Sequence, residues 1–255
     1  MPGLISKLVK WVISPPSGGS GIPVKTPSRA DSLIEKLKNA PDDLNWMCPP
    51  NTVSNPAPWD KYWTDQVEYG VAGFTHMFVQ DGQLVDAMVS NGLGTVLCVG
   101  NGVSHEARAL SEAGFAVTAL DLSPLANRVS SASVPEPVVI QRLLEGRPLR
   151  AGGRLEFVTG DVRDVSVCPG PFDVVIERRT LQLFPDDELP AVMQAVAGRL
   201  APRGVFFSHC HDGRWKPPAT PRNRPGDWFV DKGWTRWHGE TPLTGRVAWT
   251  LTTTG

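Results

Sequence analysis

The sequence predicts an α/β domain: a mostly parallel sheet with helices on both faces. Residues 96–124, VLCVGNGVSHEARALSEAGFAVTALDLSP, read as strand, glycine turn, helix, strand and acid. Further short apolar runs at 155–158, 172–177 and 205–208 alternate with helical patterns, the signature of repeated βαβ units. The 255 residues suffice for one such domain with a sizeable core, so no second domain is required.

Before that domain the sequence predicts an arm. Leu4, Ile5, Leu8, Val9 and Val12 line one helix face opposite Lys7 and Lys10. The stretch is too short to span a bilayer and lacks a cleavage-like end, so it reads as a surface-docked or domain-packing helix. Residues 14–28, rich in Pro, Gly and Ser, read as a flexible linker, 31–39 as a helix and 41–58 as turn-rich. Residues 1–54 are therefore expected to be an arm or lid, and 55–255 the folded domain.

Within the domain, Val96, Leu97 and Val99 make a buried strand that Gly100 and Gly102 break. Ser104 then serves as an N-cap for a helix carrying Ala107, Leu110 and Ala113 on its apolar face. A second strand over 117–120 ends at Asp121, and a third over 155–158 runs into Gly160, Asp161 and Val162. The fourth, 172–177, leads into a loop at 178–184. A helix follows from Pro185, with Asp186, Asp187 and Glu188 in its first turn and Leu189, Val192, Met193, Val196 and Leu200 on one face. Gly204 ends that connection and 205–208 is the fifth strand. Residues 234–240 and 246–252 read as a closing antiparallel hairpin, giving seven strands. Between them and the fifth strand, Pro217, Pro218, Pro221 and Pro225 argue against a regular helix over 212–232.

The ligand chemistry follows from what is present and what is missing. Asp121 lies about twenty residues past the glycines, where a carboxylate of a βαβ unit accepts hydrogen bonds from ribose hydroxyls. The third glycine of a dinucleotide fingerprint is absent, its place held by His105 or Glu106, which suit a pyrophosphate poorly. No G-x-x-x-x-G-K-[ST] loop is present to cradle a triphosphate. A ligand with ribose and adenine but no phosphate fits, and S-adenosylmethionine is the common one. On these residues the chain resembles the class I S-adenosylmethionine-dependent methyltransferases, over roughly residues 55–255. A βαβ unit binding another nucleotide, or nothing, is the alternative.

The resemblance implies a Rossmann-like fold and a set of cofactor contacts: Gly100, Asn101 and Gly102 in the glycine turn, Asp121 and Leu122 at the end of the second strand, Asp161 and Val162 on the adenine, and Glu177 at the end of the fourth strand. A narrower likeness is to thiopurine S-methyltransferase and its relatives. Trp59-Asp60-Lys61-Tyr62-Trp63 matches their W-x-x-x-W lead-in, which implies Trp59 and Trp63 as a cap on the cofactor, with Trp46 of the arm nearby. Where that family has D-R-G-x-L, this chain has Glu177-Arg178-Arg179-Thr180-Leu181, so Arg179 replaces a glycine.

Composition narrows the acceptor. Lys plus Arg number 25 against 26 for Asp plus Glu, a net charge of −1, which gives no footprint for nucleic acid. A small molecule is expected instead. The cysteines, Cys48, Cys98, Cys168 and Cys210, form no C-x-x-C pair and suit a reduced, cytoplasmic protein. No metal is expected: of His209, Cys210 and His211, alternation along a strand lets only the two histidines converge.

A sulfonium methyl is already electrophilic, so the protein must chiefly align a nucleophile with it and exclude water. A thiol or other soft nucleophile needs little general base. An amine or hydroxyl needs one, and the candidates are Glu177, His209 and His211 at the carboxyl ends of the fourth and fifth strands. Arg178 and Arg179, with Arg214, Lys216, Arg222 and Arg224, suit an anionic acceptor. The expected activity is methyl transfer to a small molecule, on sulfur or a similar atom, with Glu177, Arg178 and His211 as catalytic candidates. Transfer to nitrogen or oxygen of an anionic metabolite, or binding of the cofactor without turnover, are the alternatives.

Overall fold

The computed structural model describes residues 55–68, 82–144, 146–210, 224–236 and 247–252. The expected arm, 1–54, lies outside that set, as do His211, Arg214, Lys216 and Arg222. Helices α1 (Ala57–Glu68) and α2 (Gly82–Ser90) precede the sheet. There follow β1 (Thr95–Val99), α3 (Glu106–Glu112), β2 (Ala116–Asp121), α4 (Pro124–Ala132), α5 (Pro137–Leu143), β3 (Arg154–Thr159), β4 (Phe172–Arg178), a 3-10 turn (Leu181–Leu183), α6 (Leu189–Ala197) and β5 (Leu200–Cys210). Helix α7 (Arg224–Asp231), β6 (Thr235–Arg236) and β7 (Val247–Thr252) complete the described elements.

Strands β1 to β5 form a Rossmann-like parallel sheet, and the full strand order is β3-β2-β1-β4-β5-β7-β6. Val96 of β1 stands opposite Val117 of β2 on one side and Val174 of β4 on the other. The chain thus moves outward from β1 to β3 and returns to the far side of β1 as β4. That reversal opens a crevice beyond the carboxyl ends of β1 and β4.

Alternation along the strands divides the core into two faces. Val96, Cys98, Val174 and Ile176 pack with Met88 of α2, Leu110 of α3 and Ile140 of α5. Leu97, Val99, Val175 and Phe206 pack with Val192 and Met193 of α6 and Phe229 of α7. Both faces are covered by helices, which is why the strands read as near-continuous apolar runs. A smaller cluster of Val67, Val103, Ala126 and Val129 seats α1 on α4.

The edge differs from expectation. The expected antiparallel hairpin is not what the structure shows: β7 runs parallel to β5, with Val205 opposite Val247, and β6 runs parallel to β7. Aromatic and β-branched runs mark strands but carry no direction, which the connection decides. A crossover of a dozen or more residues brings a parallel strand, and here α7 lies within that crossover. The helix α7 is itself a correction to the proline argument, because Pro225 is its second residue, where a missing N–H costs no helical bond. Helix α6 begins at Leu189, so the three acids precede its first turn rather than occupying it. Gly204 lies within β5: β4 advances from Phe172 to Val174 while β5 advances from Leu200 to Val205, and residues 201–204 bulge out.

Candidate active site

The cleft beyond β1 and β4 is floored by the glycine turn. Gly100 and Gly102 have φ of 65° and 55°, a conformation glycine adopts freely. Space makes the same demand. A Cβ on Gly100 would collide with the Thr180 side chain, and one on Gly102 would stand 2.6 Å from Cζ2 of Trp63. The turn is tied to β2, since the Gly100 N–H donates to Leu120 O at 2.7 Å. Asn101 lines the cleft but points its amide inward, donating to Ser130 Oγ at 3.2 Å.

Asp121 closes this arrangement. Its Oδ2 accepts the Gly102 N–H at 2.7 Å and its Oδ1 accepts the Ser123 N–H at 2.8 Å. Burial pushes its pKa up to about 6, against those two hydrogen bonds, and Asp60 nearby raises it further. Leu122, Asp161 and Val162 line the same cleft. Asp161 accepts the Arg163 N–H at 2.8 Å and pairs with the Arg163 guanidinium at 2.6 Å. The third-strand loop thus brings its acid to the cleft, and Arg163 holds that acid in place.

Helix α1 supplies the opposite wall. Trp59, Tyr62 and Trp63 all line the cleft, their rings meeting edge to face at 5.6 Å and 5.0 Å. Asp60 anchors the helix: its Oδ1 accepts from Ser123 Oγ at 2.5 Å and from the Leu125 N–H at 3.2 Å. Ser123 is also the N-cap of α4, so a carboxylate sits on that helix's positive end. The W-x-x-x-W spacing is readable in the sequence; the Asp60 anchor is not, because its partner is 63 residues away.

Glu106 and Arg178 both line the cleft and interact through space. Glu106 is 5 % exposed, and its Oε1 has no hydrogen-bond partner among the described residues. Burial lifts its pKa to about 8, opposed by the positive charge of Arg178. Burial also lowers Arg178 to about 10, opposed by Glu106 and reinforced by Arg179. Ser104 does not form the helix N-cap, which is His105, but its hydroxyl accepts the Glu106 N–H at 3.0 Å and so supports the same first turn. His105 is buried against Ser133 at 2.8 Å, and burial lowers its pKa to about 4, so it is neutral.

Glu177 departs from the sequence reading. It does not line the cleft and is 0 % exposed. Its Oε2 accepts the N–H groups of Thr180 and Leu181, both at 3.1 Å, and its Oε1 accepts from Ser208 Oγ. Strand alternation puts Ile176 and Arg178 in the cleft wall and turns Glu177 away. Arg179 has φ of 56°, the left-handed conformation that glycine adopts most freely. His209 lies in β5 opposite Arg178, and His211 is outside the described residues. Among the described residues no cluster of His, Cys, Asp and Glu could hold a metal.

The family model for a methyltransferase domain matches residues 96–204, from β1 into β5. One solved structure, described under conversion of a disulfide bond into a thioacetal group during echinomycin biosynthesis, is 30% identical over 48% of this chain and 48% of its own, with a TM-score of 0.35. A methyltransferase from Methanosarcina mazei is 22% identical over 45% and 52%, with a TM-score of 0.36. Magnesium protoporphyrin IX methyltransferase from Synechocystis PCC 6803, solved with bound S-adenosylmethionine, is 22% identical over 57% and 69%, with a TM-score of 0.40. The chain spans about half the length of the first two. No curated protein matches.

Proposed function

We propose that the chain is an S-adenosylmethionine-dependent methyltransferase acting on a small molecule. The observation that carries this reading is Asp121, buried at the end of β2 and hydrogen-bonded to Gly102, at the switch point of a parallel sheet whose residues 96–204 match a methyltransferase domain. The cleft fits the cofactor on its own chemistry. Gly100 and Gly102 let the turn pack closely under Thr180 and Trp63 in the cleft, Asp121 and Asp161 offer acceptors for ribose and base, and the Glu106 carboxyl keeps one oxygen without a hydrogen-bond partner among the described residues.

In this reading Asp121 binds the ribose hydroxyls, and Asp161 and Val162 border the adenine. Glu106 and Arg178, in one wall, match the ammonium and carboxylate of the amino-acid end, the ammonium favouring the ionised form of Glu106 against its burial. Bound there, the cofactor supplies a methyl group already activated on a sulfonium. Trp59, Tyr62 and Trp63 exclude water above it, and Thr180 and Arg178 border the side from which an acceptor approaches.

The carboxylates in the described cleft wall are Glu106, Asp121 and Asp161, and all three are engaged by the cofactor in this assignment. Among the described residues of the cleft wall no carboxylate is then left to remove a proton. That favours a thiol or similar soft nucleophile, which ionises without a dedicated base. The W-x-x-x-W lead-in and the glycine-like backbone at Arg179 support the same choice. Transfer to nitrogen or oxygen of an anionic metabolite is the second reading, favoured by Arg178 and the exposed Arg179 at the cleft. Cys98 and Cys168 are buried free thiols, in keeping with a reducing cytoplasm, and no described helix is long and apolar enough to cross a membrane. Calorimetric titration with S-adenosylmethionine and S-adenosylhomocysteine tests the reading. Micromolar binding by the native protein, lost in Asp121→Ala, is expected, and no binding by the native protein would overturn it.

A further inference from the structure

Arg199 follows α6 and is 0 % exposed. Its guanidinium is held by backbone carbonyls: Nε donates to Cys168 O at 2.8 Å, Nη1 to Val162 O at 2.7 Å and Ala195 O at 3.0 Å, and Nη2 to Asp164 O at 2.7 Å. Three of these acceptors lie in the 160–170 segment between β3 and β4, and the fourth is in α6. Burial lowers its pKa, opposed through space by Cys168, Asp164 and Asp161.

A buried cation held only by neutral carbonyls is weak support for stability, since an apolar side chain of similar size avoids the desolvation penalty. What the arginine achieves here is geometric. The carbonyls it gathers diverge, and a planar fork meets them where a single ammonium or a methyl cannot. The segment it gathers carries Asp161 and Val162 into the cleft wall. A second pin joins the same segment to the start of α6, where Arg163 Nη1 meets Glu188 Oε2 at 2.8 Å. The contact continues behind it: a Cβ on Gly170 would stand 2.7 Å from Arg199 O, which also accepts the Phe172 N–H at 2.8 Å.

We propose that Arg199 is a positioning residue for base recognition, pinning the 160–170 segment against α6 so that Asp161 and Val162 meet the adenine. This rests on the adenosyl-cofactor reading. It touches no ligand itself and acts through the segment it holds. The Asp161 carboxylate accepts from an exocyclic amine, so the native site distinguishes S-adenosylhomocysteine from S-inosylhomocysteine, which carries a carbonyl at that place.

The test is calorimetric titration of both ligands into the native protein, Arg199→Lys and Arg199→Met, with thermal melts run alongside. The native protein binds the adenosyl ligand and prefers it. The variants melt cooperatively, and the preference falls roughly tenfold or more in each, mainly by weaker binding of the adenosyl ligand. A purely structural role lowers both affinities together and leaves their ratio alone, and that result overturns the proposal. So does an unchanged ratio with unchanged affinities. Should Arg199→Met fail to fold, Arg199→Lys and Glu188→Gln, which loosens the second pin at a half-exposed site, decide by the same ratio. Failure of the native protein to bind either ligand instead sinks the cofactor reading, and so is distinct from failure of the positioning role.

Discussion

The Asp121 carboxylate accepts the backbone N–H of Gly102 at 2.7 Å, joining the end of β2 to the turn after β1 across 19 residues. One side chain therefore shapes the turn and faces the cleft. Asp121→Asn is expected to weaken S-adenosylhomocysteine binding by at least tenfold. The same change lowers stability by about 1–2 kcal/mol, since an amide meets one of the two N–H donors less well than a carboxylate. Calorimetry and chemical denaturation read the two effects separately.

Gly102 and Trp63 are packed too closely for any side chain at 102. Gly102→Ala meets both the ring, 2.6 Å from the built Cβ, and a φ of +55°. The expected outcome is displacement of α1, seen as a shift in tryptophan emission, and a loss of about 1–3 kcal/mol. Trp63→Ala in the same chain relieves the steric part only, so the double variant recovers part of that loss.

Glu106 makes stability depend on pH with a definite sign. Its folded pKa is raised from 4.5 to about 8, so the folded state holds this proton more tightly than the unfolded chain. Its contribution is full below the unfolded value and is lost as pH rises through about 8, a change of a few kcal/mol. Melting temperatures of Glu106→Gln are expected to fall less than those of the native protein between about pH 5 and pH 8. If Glu106 meets the cofactor ammonium, the variant also loses roughly tenfold in affinity for S-adenosylhomocysteine. Binding of 5′-methylthioadenosine, which lacks the amino-acid end, stays unchanged.

Glu177 binds two backbone N–H groups and the Ser208 hydroxyl, which ties the end of β4 to the loop that follows it and to β5. Glu177→Ala is expected to cost about 2–4 kcal/mol by leaving those buried donors unmet. Glu177→Gln, which keeps an oxygen for them, costs less. Once an acceptor is found, the pH profile of kcat/KM in Glu177→Gln matches that of the native protein; loss of its acid limb would restore Glu177 as a base.

Much of the fold was legible because it is written locally. The β1 run, the glycine turn and the β2 acid form one contiguous pattern whose period and punctuation state their own structure. The side of β4 that Glu177 faces was also legible, since Ile176 and Arg178 flank it and alternation sets it opposite them. The direction of β7 and the existence of α7 were not legible, because strand propensity is blind to direction and a proline count is blind to which helical position a proline takes.

The sequence by itself determined that a parallel α/β domain would place Gly100, Gly102, Asp121 and Asp161 at one edge of its sheet, because short-range periodicity and turn chemistry act on neighbouring residues. Only the tertiary structure decided which charges are buried and what they meet. Glu106 lost its solvent and gained Arg178, Glu177 was spent on a loop, and Arg199 gathered carbonyls from a segment more than thirty residues away. Burial and long-range hydrogen bonding depend on elements that meet only after folding, and those two quantities set the charge and the chemistry of each group.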